Sequence, residues 1–314
     1  MCIGVWTLEH AKYALIICTN RDEFLDRPTQ NAHYHSFASN SDPNLNDCSG
    51  PILSGRDVQA GGSWFGINKL GRAALLTNIT EPAHKYKTSR GSLVSSFLLS
   101  ESLHPLEGEI GQTQPEDANY AGFNLLLLAP TVKVESGAEP IQYTSLRITN
   151  HGGGGTLTSR PLEFRERSCG CISNGVDHAG ADQWPKVQHA TNDFDRVLRS
   201  LSPDTTETEL TEELFNVLTW HPEEAIKERK QLRNTIQVVP VPIVLDGPAG
   251  NPRPTYYGTR LSTVLLVARN GDVLFVERDI WQLGPEGKPY KADRPSDRTF
   301  RFTIDKSNLS SSSS

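Results

Sequence analysis

A cysteine stands at position 2 of this chain. Removal of Met1, which a small second residue favours, would leave Cys2 carrying a thiol and a free α-amine together. An α-amine with a pKa of ~7.7–8.0 can take up the thiol proton near neutrality, and the thiolate is the attacking form. N-terminal threonine nucleophiles use the same pairing with an alcohol. Taken alone, a cysteine here better suits a buried first strand, because free cysteine packs as a small hydrophobe. The stretch Thr19-Asn20-Arg21-Asp22-Glu23-Phe24-Leu25-Asp26-Arg27-Pro28 adds a dense charged cluster where a polar turn would suffice. If the two opening apolar segments pair as a hairpin, Arg21 and Asp22 come beside Cys2. The guanidinium would lower the thiol pKa and the carboxylate would hold or orient the amine. An ordinary strand-end ion-pair network, worth ~0–1 kcal/mol, would show the same spacing.

The elements needed to position these groups are visible in the apolar patterning. Met1–Thr7 and Tyr13–Thr19 are β-prone runs on either side of a polar turn at Glu9–Lys12. The unbroken apolar character of Ala14–Cys18 predicts a strand covered on both faces. A second hairpin is predicted for Trp64–Asn68 and Arg72–Asn78 around Gly71, with Asn78 at its end, and a third for Leu261–Ala268 and Val273–Arg278 across Asn270-Gly271. Phe123–Ala129 reads as a strand and Thr299–Ile304 as an edge strand. Helical spacing marks Leu93–Leu103, Lys186–Leu201 and Glu207–Thr219. Hairpins with clustered helices favour an α+β fold over a doubly wound sheet. The absence of a linker or fixed-period repeat predicts one domain over residues 1–305, followed by a disordered serine-rich tail at 306–314. Asn40–Gly50 is expected to be a surface insertion, and the glycine run Gly152–Gly155 a flexible loop.

Composition narrows the function classes. Of 314 residues, 36% are hydrophobic and 22% charged, with 31 Lys and Arg against 37 Asp and Glu, a net charge of −6. No basic footprint for nucleic acid is present. The longest apolar runs, Leu125–Ala129 and Val264–Ala268, fall far short of the ~20 residues that cross a bilayer. Glu9, His10 and Lys12 interrupt any signal-peptide pattern at the start, so the expected location is intracellular. Five cysteines, Cys2, Cys18, Cys48, Cys169 and Cys171, do not suggest a disulfide framework. Cys169-Gly170-Cys171 lacks the spacing of a zinc site and reads as two buried strand-end thiols. His33-x-His35 reads as surface rather than a chelating pair.

Cys2 with Asn20-Arg21-Asp22-Glu23, the block Gly61–Asn68 leading to Thr77-Asn78, and Ser173-Asn174-Gly175 followed by Trp184-Pro185-Lys186-Val187 resemble the NRDE family. That family includes the transport and Golgi organisation protein 2 homologues, and the blocks run in its order from Met1 to about Arg278. It is similar in turn to cysteine N-terminal nucleophile hydrolases such as bile salt hydrolases, penicillin V acylases and ceramidase-like amidases. The resemblance implies a four-layer αββα sandwich. It also implies Cys2 as nucleophile, Arg21 and Asp22 as the charged pair beside it, and Asn78 as an oxyanion donor. Asn174 would orient the α-amine or substrate, and Arg260 would be a second active-site arginine. In those hydrolases two residues separate the arginine from its aspartate, whereas Arg21 and Asp22 are adjacent here.

Two functions follow as expectations. One is hydrolysis of an amide or related acyl bond of a small-molecule substrate, with no metal or cofactor required. The other is a non-catalytic trafficking role in Golgi organisation and protein secretion, or in handling haem or lipid. The resemblance implies a cytoplasmic protein, with mitochondrial or Golgi-peripheral association as further settings.

Overall fold

The computed structural model describes residues 2–38, 50–82, 84, 86–102, 106, 108, 118–133, 140–246, 252–293, 297–309 and 311–312. Most of the expected insertion at Asn40–Gly50 and Cys48 lie outside the described residues.

The opening hairpin forms as the patterning predicts. Strand β1 (Ile3–Thr7) pairs antiparallel with β2 (Tyr13–Phe24), Ile3 opposite Asn20 and Thr7 opposite Ile16. These strands belong to a seven-stranded sheet in the order β10 (Gly170–Ile172), β1, β2, β12 (Pro252–Ala268), β13 (Asp272–Asp279), β16 (Arg298–Thr303), with β11 (Val241–Asp246) pairing β12. The expected edge strand is thus β16. The second sheet has eight strands: β3 (Thr29–His35), β4 (Ile52–Asp57), β5 (Phe65–Asn68), β6 (Ala73–Asn78), β7 (Phe123–Lys133), β8 (Ile141–Thr149) and β9 (Thr158–Pro161), with β17 (Ser311–Ser312) on β7. Gly71 (φ +85°) and Gly271 (φ +106°) supply the positive φ that closes the β5–β6 and β12–β13 turns.

Side-chain alternation assigns the layers. In β2, Leu15 and Ile17 join Leu53, Phe65, Leu75 and Leu126 in a core between the sheets. Ile16 and Cys18 face the other way, onto helices α3 (Pro185–Ser200) and α4 (Glu207–Val217) through Phe194, Leu210 and Leu214. On the far side, Leu76, Leu125 and Leu127 pack beneath α1 (Gly91–Leu99) through Val94, Phe97 and Leu98. The order is helix, sheet, sheet, helix: a four-layer αββα sandwich in which Ala14–Cys18 is covered on both faces. Each fully buried Leu or Ile contributes ~1.5–3 kcal/mol, so the paired periodicity of these strands is a strong determinant of the layering.

Three local expectations differ from what is observed. The glycine run is tied down: Glu81 accepts hydrogen bonds from Gly153 N (2.7 Å) and Gly122 N (2.6 Å), and Gly154 N donates to the Tyr120 carbonyl. His35 is buried rather than on the surface, with Nε2 2.9 Å from Ser54 Oγ and Phe37 N donating to Nδ1. In the tail, Asp305 accepts from Ser307 N and caps a 3-10 turn at Lys306–Asn308, and Ser311–Ser312 pairs parallel to Val132–Lys133. Local side-chain caps of this kind are invisible to a composition argument.

Candidate active site

Cys2 is placed by the first strand. Even-numbered residues of β1 face the second sheet: Trp6 lies in the inter-sheet core, and a Cβ on Gly4 would stand 2.3 Å from Leu75 Cδ2. A side chain there would have to push the Leu75 methyl aside. Cys2, one step earlier in the same alternation, lines a cavity of about 460 Å³ between the ends of the sheets. Its carbonyl accepts hydrogen bonds from Ser173 Oγ (3.0 Å) and Lys186 Nζ (3.3 Å). Its Sγ lies 3.8 Å from the Asp22 carbonyl oxygen. Burial pushes the thiol pKa up, as does the Asp22 carboxylate, while a backbone hydrogen bond from Asp22 and the charge of Arg21 pull it down.

The hairpin register brings Arg21 and Asp22 to the same cavity, as expected. By the alternation of β2, Arg21 falls on the inter-sheet side, 4% exposed, its guanidinium 3.8 Å from the Trp64 ring centroid and Nη1 donating to Thr29 Oγ1 at 2.8 Å. Asp22 Oδ1 accepts from Thr259 Oγ1 at 2.6 Å, and its backbone carbonyl accepts from Tyr257 Oη at 3.0 Å. Asn20 is occupied by the fold: its Nδ2 donates to the Leu218 and Ile236 carbonyls and its Oδ1 accepts from Ser262 Oγ.

Asn78, at the end of β6, also lines the cavity. Its carbonyl accepts from Asn174 Nδ2 at 2.6 Å. Asn174 itself does not line the cavity: its Oδ1 accepts from Lys186 Nζ (3.3 Å) and Ser173 Oγ (3.4 Å). It braces Asn78 and, through Ser173 and Lys186, the groups that hold the Cys2 carbonyl. Arg260 is not brought to the cavity wall. The β12–β2 register shifts between Thr259 and Leu261, and the Arg260 guanidinium donates to the Phe24 and Arg27 carbonyls. Burial, with Arg21 nearby, lowers its pKa to about 10.

Two cations that sequence reasoning did not assign take part. Arg90, the residue preceding α1, lines the cavity and donates to the Gly122 carbonyl at 2.9 Å. Lys186, in the first turn of α3, is fully buried, and that burial lowers its pKa while Asp22 and Cys2 oppose the shift. A cation at a helix N-terminus works against the helix dipole, and this misplacement is the available signal for both. The other thiols among the described residues do not line the cavity. Cys18 is sealed in the core with its pKa pushed up by burial, and Cys171 and Cys169 are held at about 12 and about 11 by burial.

The arrangement can support nucleophilic chemistry: a thiol at a cavity wall, a guanidinium beside it, and a side-chain amide at the same opening. Comparison with sequence relatives agrees with the family resemblance. The chain is 30% identical over 277 residues to a Transport and Golgi organization 2 homolog of Mus musculus, covering 85% of this chain and 87% of that one. It is 31% identical to the Bos taurus homolog over the same shares. Among solved structures it is similar to a conjugated bile acid hydrolase of Clostridium perfringens (TM-score 0.46, 8% identity, 100% and 99% of the two chains). It is also similar to a Caenorhabditis elegans N-acylethanolamine-hydrolyzing acid amidase ortholog (TM-score 0.37, 10% identity, 85% and 92%). The sequence model of Transport and Golgi organisation 2 matches residues 1–282, and the chain belongs to that family.

Proposed function

We propose that, once Met1 is removed, Cys2 acts as an N-terminal nucleophile that hydrolyses an amide or related acyl bond of a small molecule. The observation that carries this reading is the convergence of Cys2, Arg21 and Asn78 on one open cavity, with the Cys2 carbonyl clamped by Ser173 and Lys186. The thiol passes its proton to the α-amine of the same residue, and the thiolate attacks the substrate carbonyl carbon. The Asn78 amide, which has no hydrogen-bond partner among the described residues, would meet the developing oxyanion, an interaction worth ~2.7–4 kcal/mol of barrier. As the C–N bond breaks, the ammonium returns the proton to the leaving amine. Water then attacks the thioester, giving its proton to the amine, and the C–S bond breaks to release the acid and restore the thiol.

The trafficking reading has the cavity hold a ligand, haem or lipid by our expectation, without reaction; the relatives' names speak only of transport and Golgi organization. No helix among the described residues is long and apolar enough to cross a membrane. Intact mass of the purified protein together with amine release from a panel of N-acyl amides separates the two readings. Hydrolysis predicts loss of Met1 and release that disappears in Cys2→Ala. Retained Met1, with haem or lipid binding unchanged by Cys2→Ala, supports carriage.

A further inference from the structure

Arg21 and Arg90 both line the Cys2 cavity, and among the described residues neither guanidinium lies within ion-pair distance of a carboxylate. Each guanidinium has five N–H donors. Arg21 places one hydrogen bond, on Thr29 Oγ1, and Arg90 one, on the Gly122 carbonyl. The acidic residues at the same cavity are turned elsewhere. Asp57 takes Arg27 at 2.8 Å together with the backbone N–H groups of Gln59 and Ala60. Glu23 accepts from Phe24 N at 2.8 Å and lies 3.8 Å from Arg27. Asp22 is held by Thr259. Burying a guanidinium without a carboxylate is costly unless something else offsets it. For Arg21 the Trp64 face contributes only ~1–2 kcal/mol.

We propose that Arg21 and Arg90 form an anion subsite beside Cys2, which takes a carboxylate or phosphate group carried by the substrate. The proposal rests on the reading of Cys2 as the reactive residue and adds the class of molecule that reaches it. Guanidinium forks match planar oxyanions in a bidentate manner, so the free donors favour such a group over a neutral amide. Resident counter-charges act at a distance: Glu23 favours Arg21, and Glu81 followed by Glu23 favours Arg90, none of them hydrogen-bonding either guanidinium.

Alkylation of Cys2 tests the subsite, because iodoacetate and iodoacetamide differ only in carboxylate against amide. The ratio of their rates cancels any change in the thiol itself. The wild-type iodoacetate-to-iodoacetamide ratio is expected to exceed that of Arg90→Gln and of Arg21→Gln by about tenfold. Arg90→Lys should keep most of it, and Glu23→Gln should raise it. Protection by sodium acetate or by sodium phosphate at equal ionic strength then distinguishes a carboxylate from a phosphate preference. A ratio that is the same in wild type and both glutamine variants overturns the proposal. If Cys2 resists both reagents, tryptophan fluorescence titrated with each anion at constant ionic strength reads the same site through Trp64. A saturable change lost in both glutamine variants supports the subsite, and no saturable change overturns it. Turnover enters neither readout, so a protein that passes without hydrolysing amides keeps the subsite and loses only the catalytic reading.

Discussion

Arg147 on β8 and Arg160 on β9 meet Glu166 and Asp177 at 2.6–3.0 Å, four ion pairs, two of which tie the edge of the second sheet to the short helix α2 (Phe164–Ser168) and two to the turn after β10. Arg21 and Arg90, at the Cys2 cavity, have no carboxylate within that range among the described residues. The same side chain is used in two ways. In the first cluster, charge is matched inside the protein and the arginines act as structure. At the cavity, the guanidiniums meet a hydroxyl, a carbonyl and an aromatic face, and their remaining donors are left for something that is not part of the chain. A polar cluster therefore reads as structural or functional by whether its charges are matched from within, not by its density.

Substitutions should break this comparison in opposite directions. Cys2→Ala is expected to abolish amide turnover, a loss on the order of 10³-fold or more, while leaving the thermal midpoint close to wild type. A large drop in the midpoint would make Cys2 a packing residue instead. Asn78→Ala should lower turnover by about 10²–10³-fold with little change in Cys2 alkylation, since only the transition state loses a donor. In the matched cluster, Glu166→Gln should cost about 2 kcal/mol in denaturant titrations and leave cavity chemistry untouched, a value scaled down because the pairs keep some contact with solvent.

The same carboxylate gives a pH test. Burial would raise Glu166, but hydrogen bonds from Arg160 and Glu163 N and the charge of Arg147 hold it at about 2 against an ordinary 4.5. A depressed carboxyl contributes stability that is complete above 4.5 and is lost as pH falls toward about 2. The wild-type unfolding midpoint should therefore fall more steeply across that window than that of Glu166→Gln. The smallest effect is expected for Arg21→Met, whose stability should stay within about 1 kcal/mol of wild type because no ion pair is broken. Iodoacetamide labelling of Cys2 near neutral pH should nevertheless slow. A loss as large as that of Glu166→Gln would place Arg21 with the structural arginines.

Much of this contrast is legible in the sequence, for physical reasons that also mark where legibility ends. The four layers and the place of Asn78 at the site come from the family resemblance, while the opening hairpin follows from apolar patterning, so Cys2, Arg21 and Asp22 can be placed together and Asn78 at a strand end. Arg90 cannot, because it reaches the cavity from the end of an irregular segment with no periodicity, and only its position against a helix dipole marks it. Lys186 belongs to the Trp184–Val187 block, but a lysine in a first helical turn ordinarily reads as solvated. Arg260 departs from the expected placement because a register shift at Thr259 and Leu261 turns its side chain onto the Phe24 and Arg27 carbonyls. Bulges of that kind leave no trace in residue type. The glycine run reads as flexible because its partner, Glu81, lies some seventy residues earlier.

The central claim is that Cys2 is acylated by its substrate. Its most direct test is peptide mass mapping of the Met1-processed protein, quenched with acid during exposure to N-acyl amides and acyl thioesters that carry a carboxylate. The account predicts an acyl mass on the N-terminal Cys2 peptide that is absent from Cys2→Ala and does not appear on Cys18, Cys169 or Cys171. Processed protein that turns these compounds over with no acyl mass at Cys2, or with the same turnover in Cys2→Ala, would contradict it.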